Sequence, residues 1–189
     1  MNSIRIALIS AMLAMTGCTS AGTGPYSPKL ENERRPVEAD ELSRKGAALV
    51  FTDPPAAEAL LREALTLDLY CGPAHNNLGV LFLNRGELYE AAQEFEWARK
   101  LMPDAVDPRV NLGITLGLAG QHDEATKSFE AALEVSAGSI NAMQGLAKAL
   151  LESGNEADPR LSGLLGTIAL QGTTAQWRAW AREWSLPQS

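Results

Sequence analysis

The sequence predicts an all-α fold, a short α-solenoid of about four helix pairs closed by a C-terminal capping helix. Three observations predict it. Residues 74–103, AHNNLGVLFLNRGELYEAAQEFEWARKLMP, read as two short helices around a turn at Gly86, and their pattern returns 34 residues later from Val106. Apolar residues recur at helical spacing, whereas β-branched and aromatic residues are scattered rather than alternating, so strand signals are thin. Three Asp-Pro dipeptides, at Asp53, Asp107 and Asp158, punctuate the chain. Asp is a preferred N-cap and Pro is tolerated at the first helical position, so each dipeptide is expected to mark a helix start. A repeated hairpin cannot bury its apolar face alone and stacks on its neighbours.

The chain has 189 residues and 46% hydrophobic content, enough for one domain plus a targeting segment. Its formal charge is −7. Removal of residues 1–17 takes Arg5 with it and leaves −8. With a pI near 4.9 such a chain repels nucleic acid, and that class of partner is set aside. The two cysteines are Cys18 and Cys71. Cys18 has a context of its own, which leaves Cys71 without a partner and speaks against an internal disulfide.

The amino terminus supplies that context. Arg5 precedes an apolar run from Ile6 to Met15, broken only by Ser10. The run is too short to span a bilayer, which takes ~20 residues. It has the length of a signal-peptide core. It ends in Met15-Thr16-Gly17-Cys18, which resembles the bacterial lipobox. That resemblance implies cleavage before Cys18 and lipid on its thiol and new amino group; the plainer alternative is a secretory signal with an incidental Cys. Two or more acyl chains anchor stably where one is marginal. Residues 18–36 then read as a tether, rich in Gly, Ser, Thr and Pro, with a reach of roughly 20–25 Å. The resemblance places the protein in the cell envelope, on the outer membrane facing the periplasm if the cell is Gram-negative. Arg34 and Arg35 are expected to be solvated, or to touch anionic headgroups.

The solenoid is expected over 37–171, in units of about 38–71, 72–105, 106–139 and 140–171, with the capping helix in 172–189. In the first unit, helices over 38–51 and 54–67 carry Leu42, Gly46 and Leu49, then Ala57, Leu61 and Ala64. Its second helix is in register with the later units, and its first is one residue out of phase. The second unit is the most regular: Leu78, Gly79 and Phe82 face Ala91, Phe95 and Ala98, and Pro103 ends it. The third repeats it with Leu112, Gly113, Leu116, Gly120, Ala125, Phe129 and Ala132. The fourth begins with Leu146, Ala147, Leu150 and Gly154, then slips by two residues to Leu161, Leu165 and Ile168. Degenerate end units are expected, because terminal repeats cap the stack. The last helix is expected to start at Thr173, with Gln176 completing a capping box. Trp177, Trp180, Ala181 and Trp184 share one of its faces. That face is expected to cover the end of the stack; the alternative is an interfacial membrane helix.

These residues, with the 34-residue period, resemble the tetratricopeptide repeat family, in particular its small bacterial lipoproteins. The resemblance implies that the first helix of each unit lines a concave groove. The groove positions are then Asn76, Asn77, Val80, Leu83 and Asn84 in the second unit, and Val110, Asn111, Ile114 and Leu118 in the third. In the fourth they are Asn141, Gln144, Lys148 and Leu151. The set is amide-rich and apolar. A carboxamide both donates to and accepts from a peptide backbone. The expected partner is a peptide segment of another protein, with Asn77 and Asn111 as main-chain clamps; the alternative is that these Asn residues brace inter-repeat turns. A self-associating envelope component is the other functional expectation. Chaperone-binding members clamp a terminal carboxylate with basic residues. The matching positions here are Leu42, Gly46, Asn77, Asp107 and Asn111, which do not suit that specificity.

No catalytic machinery is legible, and no cofactor, metal or small-molecule substrate is expected. The histidines are His75 and His122. Cys71 and His75 are four residues apart, but Gly72-Pro73 between them argues against a shared helical face. Cys71 reads as a small hydrophobe near an inter-repeat turn.

Overall fold

A computed structural model describes residues 30–186, and Cys18, the signal segment and most of the tether lie outside the described residues. Among the described residues there are nine α-helices: α1 (Pro36–Leu49), α2 (Pro54–Leu67), α3 (Gly72–Arg85), α4 (Leu88–Leu101), α5 (Asp107–Leu118), α6 (His122–Val135), α7 (Ile140–Glu152), α8 (Leu161–Gln171) and α9 (Ala175–Trp184). A single 3-10 turn, Glu31–Glu33, precedes them. None of the described helices is long and apolar enough to cross a membrane.

Helices pair as α1–α2, α3–α4 and α5–α6, and each second helix also packs on the first helix of the next unit. The first helices touch one another in succession, α1 with α3, α3 with α5, α5 with α7. They form one layer of the solenoid, the one expected to line its concave groove. Three turns repeat at the 34-residue period. Gly86, Gly120 and Gly154 have φ of 76, 75 and 75°, a left-handed conformation in which a Cβ is strained. After each, the next amide closes the same bond: Glu87 to the Phe82 carbonyl, Gln121 to Leu116 and Asn155 to Leu150, at 3.0, 2.9 and 2.9 Å. The α1–α2 turn has no such glycine. Asp53 instead caps α2, accepting from the Ala56 amide at 3.2 Å.

The packing rule inside a unit is one aromatic ring against one glycine. Phe95 is fully buried, and a Cβ added at Gly79 would lie 2.6 Å from its ring. The first unit reproduces the rule with Leu61 against Gly46, where an added Cβ would lie 2.8 Å away. That pairing confirms the one-residue offset of α1. Ala57, Ala64, Ala91, Ala98, Ala125 and Ala132 are fully buried and let the helices close up around these large side chains.

Several sequence expectations need correction. Helix α1 runs from Pro36 to Leu49 rather than over 38–51, because Pro36 supplies a pre-organised first-turn φ. Asp107-Pro108 does mark the start of α5, but Asp107 is its first residue and Val106 takes the N-cap position. Asp158 caps no helix: α8 starts only at Leu161. Its carboxylate accepts from the Arg160 amide and from the Arg160 guanidinium, both at 2.9 Å, and Arg160 also reaches Glu130 on α6 at 2.6 Å. The Arg160 guanidinium holds the Asp158 carboxyl well down, at about 2. The last helix is capped by Thr174, not Thr173, through a 3.2 Å bond from the Trp177 amide. The expected capping box with Gln176 does not form, because the Thr173 hydroxyl points to α7 and donates to Gln144.

The tryptophan face does cover the stack. Trp177, Trp180 and Trp184 pack on a cluster of Ala147, Leu161, Leu165, Ile168 and Ala181, and Trp177 and Trp180 meet edge to face at 5.1 Å. Leu151 packs on the same cluster and is not a groove residue.

Arg34 is not a solvated tether residue. Its guanidinium grips the buried Asp68 with both arms, Nε to Oδ1 at 2.8 Å and Nη2 to Oδ2 at 3.0 Å, and lies over the Tyr70 ring. The Arg35 amide bonds the Leu67 carbonyl at 3.2 Å. The chain is therefore fastened to the first hairpin before α1 begins. Burial pushes the Asp68 carboxyl up, but the Arg34 guanidinium and the Tyr70 amide outweigh burial and hold it below its ordinary value. A depressed folded value means stability that is complete above the unfolded value, ~3.9, and lost as pH falls through the folded one. Asp68→Asn should therefore lower the urea midpoint at pH 7. The gap to wild type should close on acidification below about pH 4, as the wild-type carboxyl takes up its proton.

Candidate functional site: the concave groove

The first helices carry polar side chains at matched positions. With the one-residue offset of α1, Ser43 and Asn76 are equivalent, as are Asn77 and Asn111. The structure joins them as a ladder. Asn77 Nδ2 donates to Ser43 Oγ at 3.2 Å, and Asn111 Nδ2 donates to Asn76 Oδ1 at 3.1 Å. Each rung ties one first helix to the next. The amide donors of Asn77 and Asn111 brace the structure here, but what they brace is the preceding first helix rather than an inter-repeat turn.

The next rung is missing at both ends. The residue 34 after Asn111 is Gly145, and the residue 34 after Asn76 is Val110. Neither can bond. At this junction the concave face opens into a cavity of about 420 Å³ between α5 and α7. Gly113 and Gly145 leave room for Phe129, whose ring forms part of the lining. An added Cβ would lie 2.8 Å from that ring at Gly113 and well inside contact distance at Gly145.

The cavity gathers Val110, Asn111, Ile114, Leu118, Asn141, Gln144 and Lys148, all of them expected groove residues. The other six, Leu151 among them, do not line it. Asn76 and Asn77 are engaged in the ladder, Val80 and Leu83 pack on the core, and Asn84 is exposed farther along α3. Asp107, Phe129, Glu152, Thr173 and Trp177 line the cavity without having been expected as groove residues. Trp177 enters because α9 folds back beside α7. The break in the 34-residue amide pattern at Gly145 is the sequence signal by which this junction could have been found.

Loss of the ladder is measurable. A bond of this kind contributes about 0.5–1.5 kcal/mol. The double variant Asn77→Ala, Asn111→Ala should lose about 1–3 kcal/mol in urea unfolding, with the two losses adding, since they lie at different junctions.

Gln144 is the unusual group of the site. It is 3% exposed, its Oε1 accepts from the Thr173 hydroxyl at 3.2 Å, and its Nε2 has no partner. Charges stand at the rim. Lys148 Nζ and His122 Nδ1 lie 3.5 and 3.4 Å from Glu152. Asp107 makes no ion pair among the described residues.

The chaperone-type clamp positions are used otherwise. Leu42 packs on the core, Gly46 is closed by Leu61, and Asn77 holds Ser43. Nor do Cys71 and His75 form a reactive pair. His75 is buried; its Nε2–H donates to the Leu69 carbonyl at 2.8 Å, its Nδ1 faces the Glu94 carboxylate at 2.6 Å, and its ring stacks on Trp97. Burial pushes the Cys71 thiol up, away from the thiolate a nucleophile needs.

No family sequence model matches the chain, and no curated protein matches it in sequence. Solved structures do match. The first TPR domain of Spaghetti (RPAP3), bound to the HSP90 peptide SRMEEVD, superposes with a TM-score of 0.61 at 17% identity, over 65% of this chain and 98% of that one. MamA gives 0.62 at 24% identity, over 68% of this chain and 77% of its own. PilF of Pseudomonas aeruginosa gives 0.64 at 18% identity, over 82% of this chain and 73% of its own. The fold is a short tetratricopeptide α-solenoid.

Proposed function

We propose that the protein is a membrane-tethered interaction module that holds a peptide segment of another protein in its concave groove. One observation carries this reading: the apolar, amide-rimmed cavity between α5 and α7, in a solenoid whose other first-helix contacts are closed. The peptide-bound RPAP3 domain, similar in fold, supports it by analogy. The tether reading rests on the Met15-Thr16-Gly17-Cys18 sequence, with lipid on Cys18 as the anchor. The fastening of Arg34 to Asp68 sets the solenoid about sixteen residues from that anchor.

A photo-cross-linking residue in place of Ile114, on the cavity wall, should give a discrete adduct in envelope membranes. The same residue in place of Tyr89, exposed on α4, should not. Equal adducts from both sites, or none from either, would overturn the groove reading. Metabolic lipid labelling should be lost in Cys18→Ser, and unchanged labelling would remove the anchor. Self-association remains the competing reading, and light scattering separates the two: a monomer is expected, and a dimer would favour it.

A further inference from the structure

The geometry points to the α5–α7 junction as a subsite for one bulky apolar side chain flanked by a basic residue, with the adjoining peptide group bonded to Gln144. This inference rests on the groove reading proposed above and specifies what the groove selects. Gln144 is the first ground. It is a nearly fully buried amide lining the cavity, with one end bonded to Thr173 and the other unpaired. Buried polar groups in native proteins are almost always satisfied, so an open end calls for a partner. The Nε2 end is itself fully buried, so a side-chain rotation turns it to the cavity, where a peptide unit, offering both N–H and C=O, completes the amide.

The lining is the second ground. Val110, Ile114, Leu118, Phe129 and Trp177 surround a volume suited to a large side chain, and the glycines keep the cavity from filling. Electrostatics is the third. Glu152 at the far end of α7 offsets Lys148, its own salt-bridge partner, so the unpaired Asp107 at one end of α5 leaves the lining with an excess negative charge. The rim is net acidic on a chain of charge −7. It favours a basic flank and repels a terminal carboxylate.

The test is a phage-displayed library of random dodecapeptides panned against the purified full chain, followed by affinity measurement on three variants. Gln144→Leu removes the amide at similar size. Ile114→Trp fills the cavity from its exposed edge. Asn84→Trp alters the second-unit end of the concave face and serves as the control. Enriched peptides should share a Trp, Phe or Leu beside Lys or Arg. Gln144→Leu and Ile114→Trp should each weaken them at least tenfold, with Asn84→Trp within twofold of wild type and the urea midpoint of Gln144→Leu no lower than that of wild type. Peptides that lose affinity only with Asn84→Trp would overturn the subsite while leaving the groove reading in place. So would peptides rich in Asp or Glu, or ones that require a free carboxylate. Enrichment of no peptide, or of peptides indifferent to all three variants, would overturn both.

Discussion

Phe95→Ala lowers the unfolding free energy by about 3–5 kcal/mol, the cost of emptying a fully buried aromatic site. The upper part of that range applies here. Gly79 meets the ring at close contact, and Ala91 and Ala98 on the same face of α4 carry no side chain long enough to reach into the void. The hole also sits in the middle of the stack. Each repeat is stabilised by its neighbours, so a loosened second unit weakens its docking to both the first and the third. Urea unfolding of the full chain, read by helix content, checks this. A loss below about 1 kcal/mol would mean that α3 and α4 collapse onto each other, which the glycine contact does not allow for.

Gly145→Val acts in the opposite sense and is comparably severe. Phe129 is wedged between two backbones, Gly113 on α5 and Gly145 on α7. A side chain at position 145 drives into the ring, and the ring cannot retreat because Gly113 stands behind it. Overpacking of a core costs about 1–3 kcal/mol, and the blocked retreat places this variant at or above the top of that range. Pairing Gly145→Ala with Phe129→Leu should recover part of the loss, because the two sites share one contact and their effects do not add. Gly166→Ala gives the contrasting sign. An added Cβ there meets nothing within 4 Å, so the helix gains about 0.5–1 kcal/mol from losing a glycine. Thermal or urea melts of the three variants test both signs at once.

The two substitutions show why so much of the fold was legible in the sequence. A large residue on the second helix of each hairpin faces a small one on the first: Leu61 with Gly46, Phe95 with Gly79, Phe129 with Gly113. That pattern recurs at or within one residue of a 34-residue step. Left-handed glycines at 86, 120 and 154 mark the turns of the same period. The groove was legible only in outline. Helical spacing places Asn76, Asn77, Asn111 and Gln144 on one layer, but not the partners they choose. Asn77 and Asn111 spend their donors on the preceding helix, whereas Gln144 is left with one unpaired end because the following unit slips and Thr173 meets it from the α8–α9 turn. Arg34 was misplaced for a related reason. Its partner Asp68 lies 34 residues on, and nothing local to Arg34 distinguishes a fastened guanidinium from a solvated one.

The sequence by itself determined the hairpins, their turns, the face each helix buries and the tryptophan cover at the end. These follow from local propensity and from a period that repeats the same contact. Only the tertiary structure decided where the concave face is braced and where it is open. That outcome depends on the distance and tilt between successive first helices, which are set by the volumes packed between them rather than by any one helix. At Gly145 the rung is lost, the aromatic ring advances into the space, and a cavity remains beside a buried amide with one hand free.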